Sequence, residues 1–396
     1  MKNIFLFLGL LCTSTFFAQF TYNDGGLGGI QSPNTLATGV NSFSAGYQTL
    51  ASGDYGATAL GSSSEASGIA SIAIGDQVTA SGNYGATALG FQTIASGDNS
   101  IAMGSQTTAF GNQSTAMGLN TSAIGVRSIA SGSGTTASGI SSIAGGIGST
   151  ASGYASMALG YQTTADATVS YAIGDRVKAD AYGTFAIGYN STGVENASKE
   201  VFSFSNRAFV IGNNALADGF NTTAIGTGNT ADANADATAW SLDNRAFVIG
   251  NGYYDGEVGE VVRSDAFTVL FNGDATLAGN LNINSDARLK SNIISLGSTL
   301  AKVLTIDGKS YTMNRDKNNK TNIGVLAQDV QKVFPELVSE SNDILSVNYQ
   351  GLIPVLINAI KEQQHELNKL KAVESELALY KKKFLELENR ISKIEK

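Results

Sequence analysis

An alanine at every seventh position is the feature that most limits what this 396-residue chain can fold into. From Ala88 to Ala186 the alanine recurs fifteen times without a miss, and a glycine follows two residues after nearly all of them. A seven-residue period is typical of a coiled coil, but one glycine per heptad would cost a helix about 1 kcal/mol each time. Glycine instead supplies the backbone freedom that tight corners need. The repeat therefore predicts a β-solenoid with glycines at its corners.

The residue between alanine and glycine alternates in size along the repeat, which doubles the true length of the repeating unit. It is small or polar in one copy and bulky in the next, as in Ser67, Ile74, Ser81 and Leu89. The unit is therefore fourteen residues long, with two short strands and two glycine turns. Because adjacent strand residues point to opposite faces, an alanine in a narrow core places its neighbour outside. We predict an outward apolar stripe, formed by Leu60, Ile74, Leu89, Met103, Met117, Leu159, Ile173 and Ile187.

This stripe bears on the oligomeric state, because a soluble monomer rarely exposes a continuous apolar surface. We therefore expect the solenoid to pack against copies of itself. Between Ser131 and Ser152 small residues replace the bulky ones, so packing should be looser there. Stretches such as Asn99–Gly104 and Ser156–Gly160 resemble the head repeats of trimeric autotransporter adhesins of the YadA type. That resemblance covers roughly residues 40–235 and implies a left-handed parallel β-roll with three chains side by side. Those adhesins end in a membrane anchor, whereas this chain ends in a charged helix, so autotransport is not implied.

Between the repeat and the C-terminal part, the motif Asn-Arg-Ala-Phe-Val-Ile-Gly-Asn occurs twice, at 206–213 and 244–251. Its β-rich alternation predicts strands. We interpret the arginine before each strand as a surface charge. Trp240 and the pair Tyr253-Tyr254 suit either a packing role, which we favour, or a carbohydrate-stacking surface.

The C-terminal part opens with Ser285-Asp286-Ala287-Arg288-Leu289-Lys290, followed by two further motifs at 322–338 and 347–354. Together they resemble the intramolecular chaperone of endosialidases and other phage tailspikes, which also occurs in a membrane-bound myelin regulatory factor. The resemblance spans about residues 285–365. It implies a trimer that assists assembly of the β-rich fibre before it and then cuts itself off just before the serine.

Carried over to this chain, the resemblance makes Ser285 the nucleophile, Lys290 its base, and Asn284–Ser285 the scissile bond. A serine hydroxyl needs an adjacent base, and a lysine serves when burial lowers its pKa. Attack on the carbonyl of Asn284 would give an ester, which water then opens. Asp286 either holds the turn or orients Lys290. The alternative is a chaperone that has kept the motif but does not cut.

A helix is predicted from about Leu352 to the end of the chain, with Pro354 in its first turn. Apolar residues then follow a 3-4 spacing typical of a coiled coil, with a stammer between Leu370 and Leu377. The later core positions are Leu377, Tyr380, Phe384, Leu387, Ile391 and Ile394.

Residues 1–18 have the pattern of a secretory signal peptide, with Lys2, an apolar run too short to span a bilayer, and Ala18 before the cleavage point. The only cysteine, Cys12, lies in this segment, so the mature chain has no disulfide. We expect an exported protein, extracellular or on the cell surface, with no membrane-spanning helix in the mature chain.

Charge and composition argue against some classes of partner and ligand. The net charge is −8 and no basic stripe is present, which argues against nucleic-acid binding. With one histidine, His365, and no mature cysteine, we expect no zinc or other metal site and no cofactor.

The predicted fold class is mainly β: a left-handed parallel β-roll or solenoid, then a small α+β chaperone domain and a C-terminal α-helical coiled coil, in a homotrimer. The segments are a signal peptide (1–18), an N-terminal segment (19–40), the repeat head (41–190), a β-rich continuation (191–284), the chaperone domain (285–354) and the coiled coil (355–396).

The leading hypothesis is an adhesin-like surface fibre that binds a surface glycan or a protein. Its C-terminal domain would trimerise, assist folding and be released by self-cleavage. The alternative is a structural or ice-binding solenoid with a non-cleaving trimerisation domain, suggested by the threonines at 107, 108, 121, 135 and 136. A glycan-degrading tailspike ranks low because no paired catalytic carboxylates stand out.

Overall fold

The computed structural model describes residues 20–23, 29–189, 201–203, 205–314 and 319–394. The predicted signal peptide, with Cys12, lies outside the described residues. The chain divides into two compact units, one up to Leu281 and one from Asn282. Among the described residues, no helix combines the length and the hydrophobicity needed to cross a bilayer.

The first unit is a parallel β-solenoid in which each coil contributes one long strand and one short strand. Thr87–Phe91 pairs in parallel with Ile101–Ser105, fourteen residues on, and Ile94–Ala95 pairs in the same way with Thr108–Ala109. Alanine meets alanine at each of these steps. The fourteen-residue unit with two strands is therefore confirmed.

The strands of the solenoid form two sheets, which have eighteen and thirteen strands in the described residues. The parallel strands of the larger sheet are Gly29–Gln31, Phe43–Tyr47, Thr58–Ser62, Ile72–Asp76, Thr87–Phe91, Ile101–Ser105, Thr115–Leu119, Ile129–Ser133, Ile143–Ile147, Met157–Tyr161, Tyr171–Asp175, Phe185–Gly188, Phe209–Asn213, Thr223–Thr227 and Arg245–Asn251. Its antiparallel strands are Thr21–Asn23 at one end and Asp265–Leu270 and Ala275–Leu277 at the other. The smaller sheet consists of Leu36–Ala37, Leu50–Ala51, Glu65–Ala66, Thr79–Ala80, Ile94–Ala95, Thr108–Ala109, Ser122–Ala123, Thr136–Ala137, Thr150–Ala151, Thr164–Ala165, Val177–Ala179, Val201–Ser203 and Leu216–Ala217. A separate hairpin pairs Tyr253–Asp255 with Glu260–Val262.

The core of the solenoid is a column of small side chains. The repeat alanines, such as Ala102 and Ala109, have no exposed surface, and serines and threonines lie buried beside them. Thr107, Thr121 and Thr135 belong to this interior. They cannot contact an external surface, whereas Thr108 and Thr136, which the ice-binding alternative also uses, are partly exposed on the short strands.

Glycine serves close packing between coils more than it serves corners. Gly104 lies inside the strand Ile101–Ser105 with φ of +125°, and a Cβ there would overlap the carbonyl oxygen of Gly118 in the next coil. The left-handed corners are taken largely by other residues, including Gln92 and Gln106, with φ of 51° and 56°. The Gln106 amide Nε2 donates to Oε1 of Gln92 at 3.3 Å. The prediction that glycines make the corners is therefore wrong for the series that contains Gly104, whereas Gly111 of the alternate series does lie in a turn.

The predicted apolar stripe follows the outer face of the long strands. Leu60, Ile74, Leu89 and Met103 stand opposite one another in consecutive coils. Each side chain is partly covered by its neighbours in the ladder, and Ile74 is 38% exposed. The stripe is thus a half-buried ladder rather than a fully exposed one. It breaks at Ser131 and Gly145, which face each other where the sequence predicted looser packing.

Arg245, the first residue of the last parallel strand, is buried, with 9% of its surface exposed. Its Nη1 donates to the carbonyl of Thr230 at 2.7 Å, and its guanidinium lies 3.6 Å from Asp265 and 3.7 Å from Asp232. The antiparallel strand Asp265–Leu270 covers it. The interpretation of this arginine as a surface charge is therefore wrong.

Of the aromatic residues of this region, Tyr254 is half-buried, but Trp240 and Tyr253 do not pack as we favoured. Trp240 is 57% exposed and touches Phe271 at a tilted angle, and Tyr253 is 58% exposed. In the single chain they are surface side chains.

The second unit is a small α+β domain that continues into a long helix. Its helices are α1 (Leu300–Val303), α2 (Ala327–Val333) and α3 (Leu352–Ile394); its hairpins pair Gly308–Thr312 with Thr321–Val325 and Val338–Ser341 with Ile344–Val347; and its 3₁₀ turns are Ala287–Leu289, Pro335–Leu337 and Tyr349–Gly351. Val330, Phe334 and Val355 form the buried core. Helix α3 has 43 residues, so it extends about 65 Å. The predicted terminal helix is confirmed.

Candidate active site

The hexapeptide Ser285–Lys290 folds as a single 3₁₀ turn, Ala287–Leu289, with Asp286 as its N-cap. The amide of Leu289 donates to the carbonyl of Asp286 at 3.1 Å, and the amide of Lys290 donates to the carbonyl of Ala287 at 3.1 Å. These two bonds lie within the hexapeptide, so its fold is local.

The two residues at the ends of this turn are in contact. Lys290 Nζ lies 2.8 Å from Ser285 Oγ, and both residues are exposed in the single chain. As an ammonium, Nζ donates to Oγ; without its proton, the same nitrogen stands at the right distance to accept the hydroxyl proton. The structure thus brings together the two residues that the sequence predicts to be nucleophile and base.

Asp286 pairs with Arg288 rather than with Lys290. Its Oδ1 accepts from the Arg288 amide at 2.9 Å, and its Oδ2 accepts from Arg288 Nη2 at 2.7 Å. The side-chain hydrogen bond from Arg288 lowers the pKa of the Asp286 carboxyl below its ordinary value, and the backbone bond adds to this effect. Of the two roles left open for Asp286, these contacts are those of a residue that holds the turn.

Asn284, on the other side of the predicted scissile bond, is exposed and lies in irregular chain. The chain that follows the turn is also irregular until α1 begins at Leu300. Sequence reasoning missed two residues. Arg288 had a signal in its opposite charge two positions after Asp286. Glu362 of α3, which binds Ser298 downstream of the turn, resembled any other charged position of a coiled coil.

Two families match this chain. Residues 285–339 match the chaperone of endosialidase. Eight segments between residues 37 and 229 match the YadA head domain repeat, and the last of them, 206–229, is separated from the others. The chain carries YadA-type head repeats followed by an endosialidase-type chaperone. Both resemblances noted in the sequence are thereby confirmed, and the chaperone match begins at Ser285, the first residue of the turn.

Relatives of the chain include long tail fibre proteins of bacteriophages. The long tail fiber protein Gp37 of Salmonella phage S16 is 30% identical over 131 residues, which cover 31% of this chain and 18% of that protein. The Gp37 of Enterobacteria phage K3 is 34% identical over 103 residues, covering 24% of this chain and 8% of that protein. The Gp37 of Enterobacteria phage M1 is 35% identical over 100 residues, which cover 22% of this chain and 39% of that protein. The chain therefore spans well under half the length of these relatives.

Proposed function

We propose that three copies of this chain form a surface fibre, and that the C-terminal domain aligns the copies and then cuts itself off at Asn284–Ser285. Support for a trimer comes first from α3. Its apolar side chains, including Leu370, Leu377 and Phe384, are 52–63% exposed in the single chain. A helix with such a stripe needs partner helices to cover it, and three chains suit both matched families.

The repeat itself creates a need for such a clamp. Coils that look alike every fourteen residues can pair with a partner chain one coil out of register. A coiled coil forms from local contacts and can therefore assemble early, before the long-range pairing of a solenoid. Three helices joined at one end would fix the register of the three solenoids and lower the entropy cost of their association.

The observation that carries the cleavage proposal is the 2.8 Å contact between Lys290 Nζ and Ser285 Oγ. In the proposed reaction Nζ takes the hydroxyl proton while Oγ forms a bond to the carbonyl carbon of Asn284. The bond from that carbon to the Ser285 nitrogen breaks, and the nitrogen receives the proton. The resulting ester is hydrolysed by water, which leaves a carboxylate on Asn284 and a free amine and hydroxyl on Ser285.

The exposure of the dyad indicates when cutting should occur. A lysine becomes a base near neutral pH when it is removed from water, and both dyad residues are exposed in the single chain. The same segment carries Leu289, Ile293 and Ile294, which are 67–86% exposed. Partner chains that cover these apolar side chains would also dehydrate the dyad. We therefore expect cleavage to follow assembly.

Wild type, Ser285→Ala and Lys290→Ala chains test this proposal, with Ser291→Ala as a matched control in the same segment. We expect wild type and Ser291→Ala to yield a fragment that begins at Ser285, identified by intact mass, and the other two variants to remain whole. A Ser285→Ala chain that still yields this fragment would contradict the proposed nucleophile. A wild-type trimer that stays whole would contradict cleavage altogether.

We further propose that the passenger, residues 19–284, is exported and acts at a surface as an adhesin for a glycan or a protein. The tail fibre relatives and the head repeats support an exposed, fibre-like role. Binding of the released passenger to whole cells tests this role, and a passenger that binds no cell type would contradict it.

A further inference from the structure

The catalytic turn is tethered to the folded part of its unit at one place. Residues 291–298, directly after Lys290, are exposed and have no helix or strand. Thr299 is the first buried residue after the turn, at 1% exposure. Eight extended residues reach at most about 29 Å. The position of residue 299 therefore limits where the turn can go.

Glu362 of α3 is the residue that holds this point. Its Oε2 accepts from Ser298 Oγ at 2.6 Å and from the Leu300 amide at 3.2 Å, and its Oε1 accepts from the Thr299 amide at 2.5 Å. Thr299 Oγ1 donates in addition to the carbonyl of Val355, two turns earlier in the same helix. One carboxylate thus joins three consecutive residues of the segment to α3.

The character of these bonds supports a fixed attachment. Hydrogen bonds to an ionised carboxylate are about twice as strong as those between neutral groups. The bond from Ser298, followed by the amide of Thr299, lowers the pKa of Glu362 below its ordinary value. Glu362 is also half-buried and lies one turn after Ala359, the last buried residue of α3. It stands where the helix leaves the domain core.

We propose that Glu362 is a positioning residue for self-cleavage, which anchors the catalytic segment to the helix that assembles the trimer. The inference rests on the proposed cleavage by Ser285 and Lys290. When three α3 helices come together, the anchor would carry each turn to a defined place against its neighbours. Small misplacements of reacting groups slow reactions by large factors, so loss of the anchor is expected to slow cutting by about tenfold or more without preventing assembly.

Glu362→Gln tests the anchor, because an amide keeps one acceptor oxygen and replaces the other with a donor, although both carboxylate oxygens accept bonds from the segment. Glu366→Gln is the matched control one turn further along α3. The Glu366 carboxylate pairs with Lys369 of the same helix at 2.9 Å, and both residues are exposed. Both variants remove one charge from the helix. In full-length trimers of equal thermal stability, we expect slower cleavage in Glu362→Gln and an unchanged rate in Glu366→Gln.

A double-mutant cycle with Ser298→Ala separates positioning from a general loss of stability. Ser298 contacts Glu362 but is exposed, so its removal should disturb little else. If both residues act through one anchor, the double variant is expected to cut no slower than Glu362→Gln alone. Two independent, multiplying effects on the rate would overturn the inference.

Hydrogen exchange tests whether Glu362 anchors the segment, and it does so without depending on cleavage. In a Ser285→Ala background, which keeps the chain whole, the amides of Thr299 and Leu300 should exchange faster in Glu362→Gln and at an unchanged rate in Glu366→Gln. Unchanged exchange, or an unchanged cleavage rate in intact Glu362→Gln trimers, would overturn the inference. Cutting by Ser285→Ala would instead overturn the proposed nucleophile, so the two failures are distinguishable.

Discussion

At the scale of single residues, the solenoid is restricted by the space between neighbouring coils. Ala102 is fully buried in a core of small side chains, and Gly104 approaches the backbone of the next coil so closely that a methyl group would overlap it. The repeat is therefore a packing requirement, which explains why alanine and glycine recur while the residues between them vary.

Gly104→Ala and Gly85→Ala test this restriction as a matched pair. Both glycines have positive φ, +125° and +91°, but a Cβ at Gly85 would meet open space. Both variants carry the cost of an unfavourable backbone conformation. Only Gly104→Ala adds the overlap, so it should lower the free energy of unfolding by a further 2 kcal/mol or so. Urea unfolding of the two variants measures the difference, and equal stabilities would contradict the packing account.

The sequence predicted those residues whose roles depend on near neighbours. The inward alanines follow from strand alternation, and Ser285 and Lys290 meet through a local turn. The sequence did not predict the roles of Arg245 and Glu362, because their partners are distant in sequence. Arg245 binds Thr230, and Glu362 binds Ser298 across 64 residues. Gly104 was placed at a corner because the sequence shows that a glycine is needed but not whether φ or space requires it.

At the scale of elements, the last coils are joined by acidic and basic side chains in addition to the packing of small residues such as Ala224. The Asp232 amide donates to Oδ2 of Asp218, and Arg245 lies between Asp232 and Asp265. Burial raises the pKa of Asp218, an effect that outweighs the backbone bond from Asp232 and the attraction of Arg245. This end of the solenoid should therefore respond to pH.

Asp218→Asn tests that response. A carboxyl whose folded-state pKa is raised stabilises the fold most below its unfolded pKa, near 3.8, and this stability is lost as pH rises through the folded value. We expect the stability of the variant not to fall in this way as pH rises, so the variant should be more stable than wild type at neutral pH. Urea unfolding between pH 4 and 7 measures the two slopes, and parallel slopes would contradict the assignment.

Asp236→Asn provides a contrast of opposite sign. Hydrogen bonds from the amides of Thr238 and Ala239 lower the pKa of Asp236. Its contribution is present above the unfolded pKa and is lost as pH falls through the folded value. This variant should be less stable than wild type at neutral pH, and an increase in its stability would contradict the same reasoning.

At the scale of the whole molecule, the two units share one property, which is that a single chain leaves apolar surface uncovered. The solenoid carries its half-buried ladder along the long strands, and α3 carries a stripe that none of the described residues of its own chain covers. Both surfaces run along extended elements that side-by-side copies could cover together. All three proposed steps therefore require assembly: the alignment of the copies, the dehydration of Ser285 and Lys290, and the release of the C-terminal domain.

The mass in solution tests this claim most directly. We expect native mass spectrometry of full-length Ser285→Ala to show three chains, and of the wild type to show a complex of three passengers after the C-terminal fragments have separated. A well-folded passenger that has the mass of one chain, with Leu89 and Met103 exposed to water, would contradict the account.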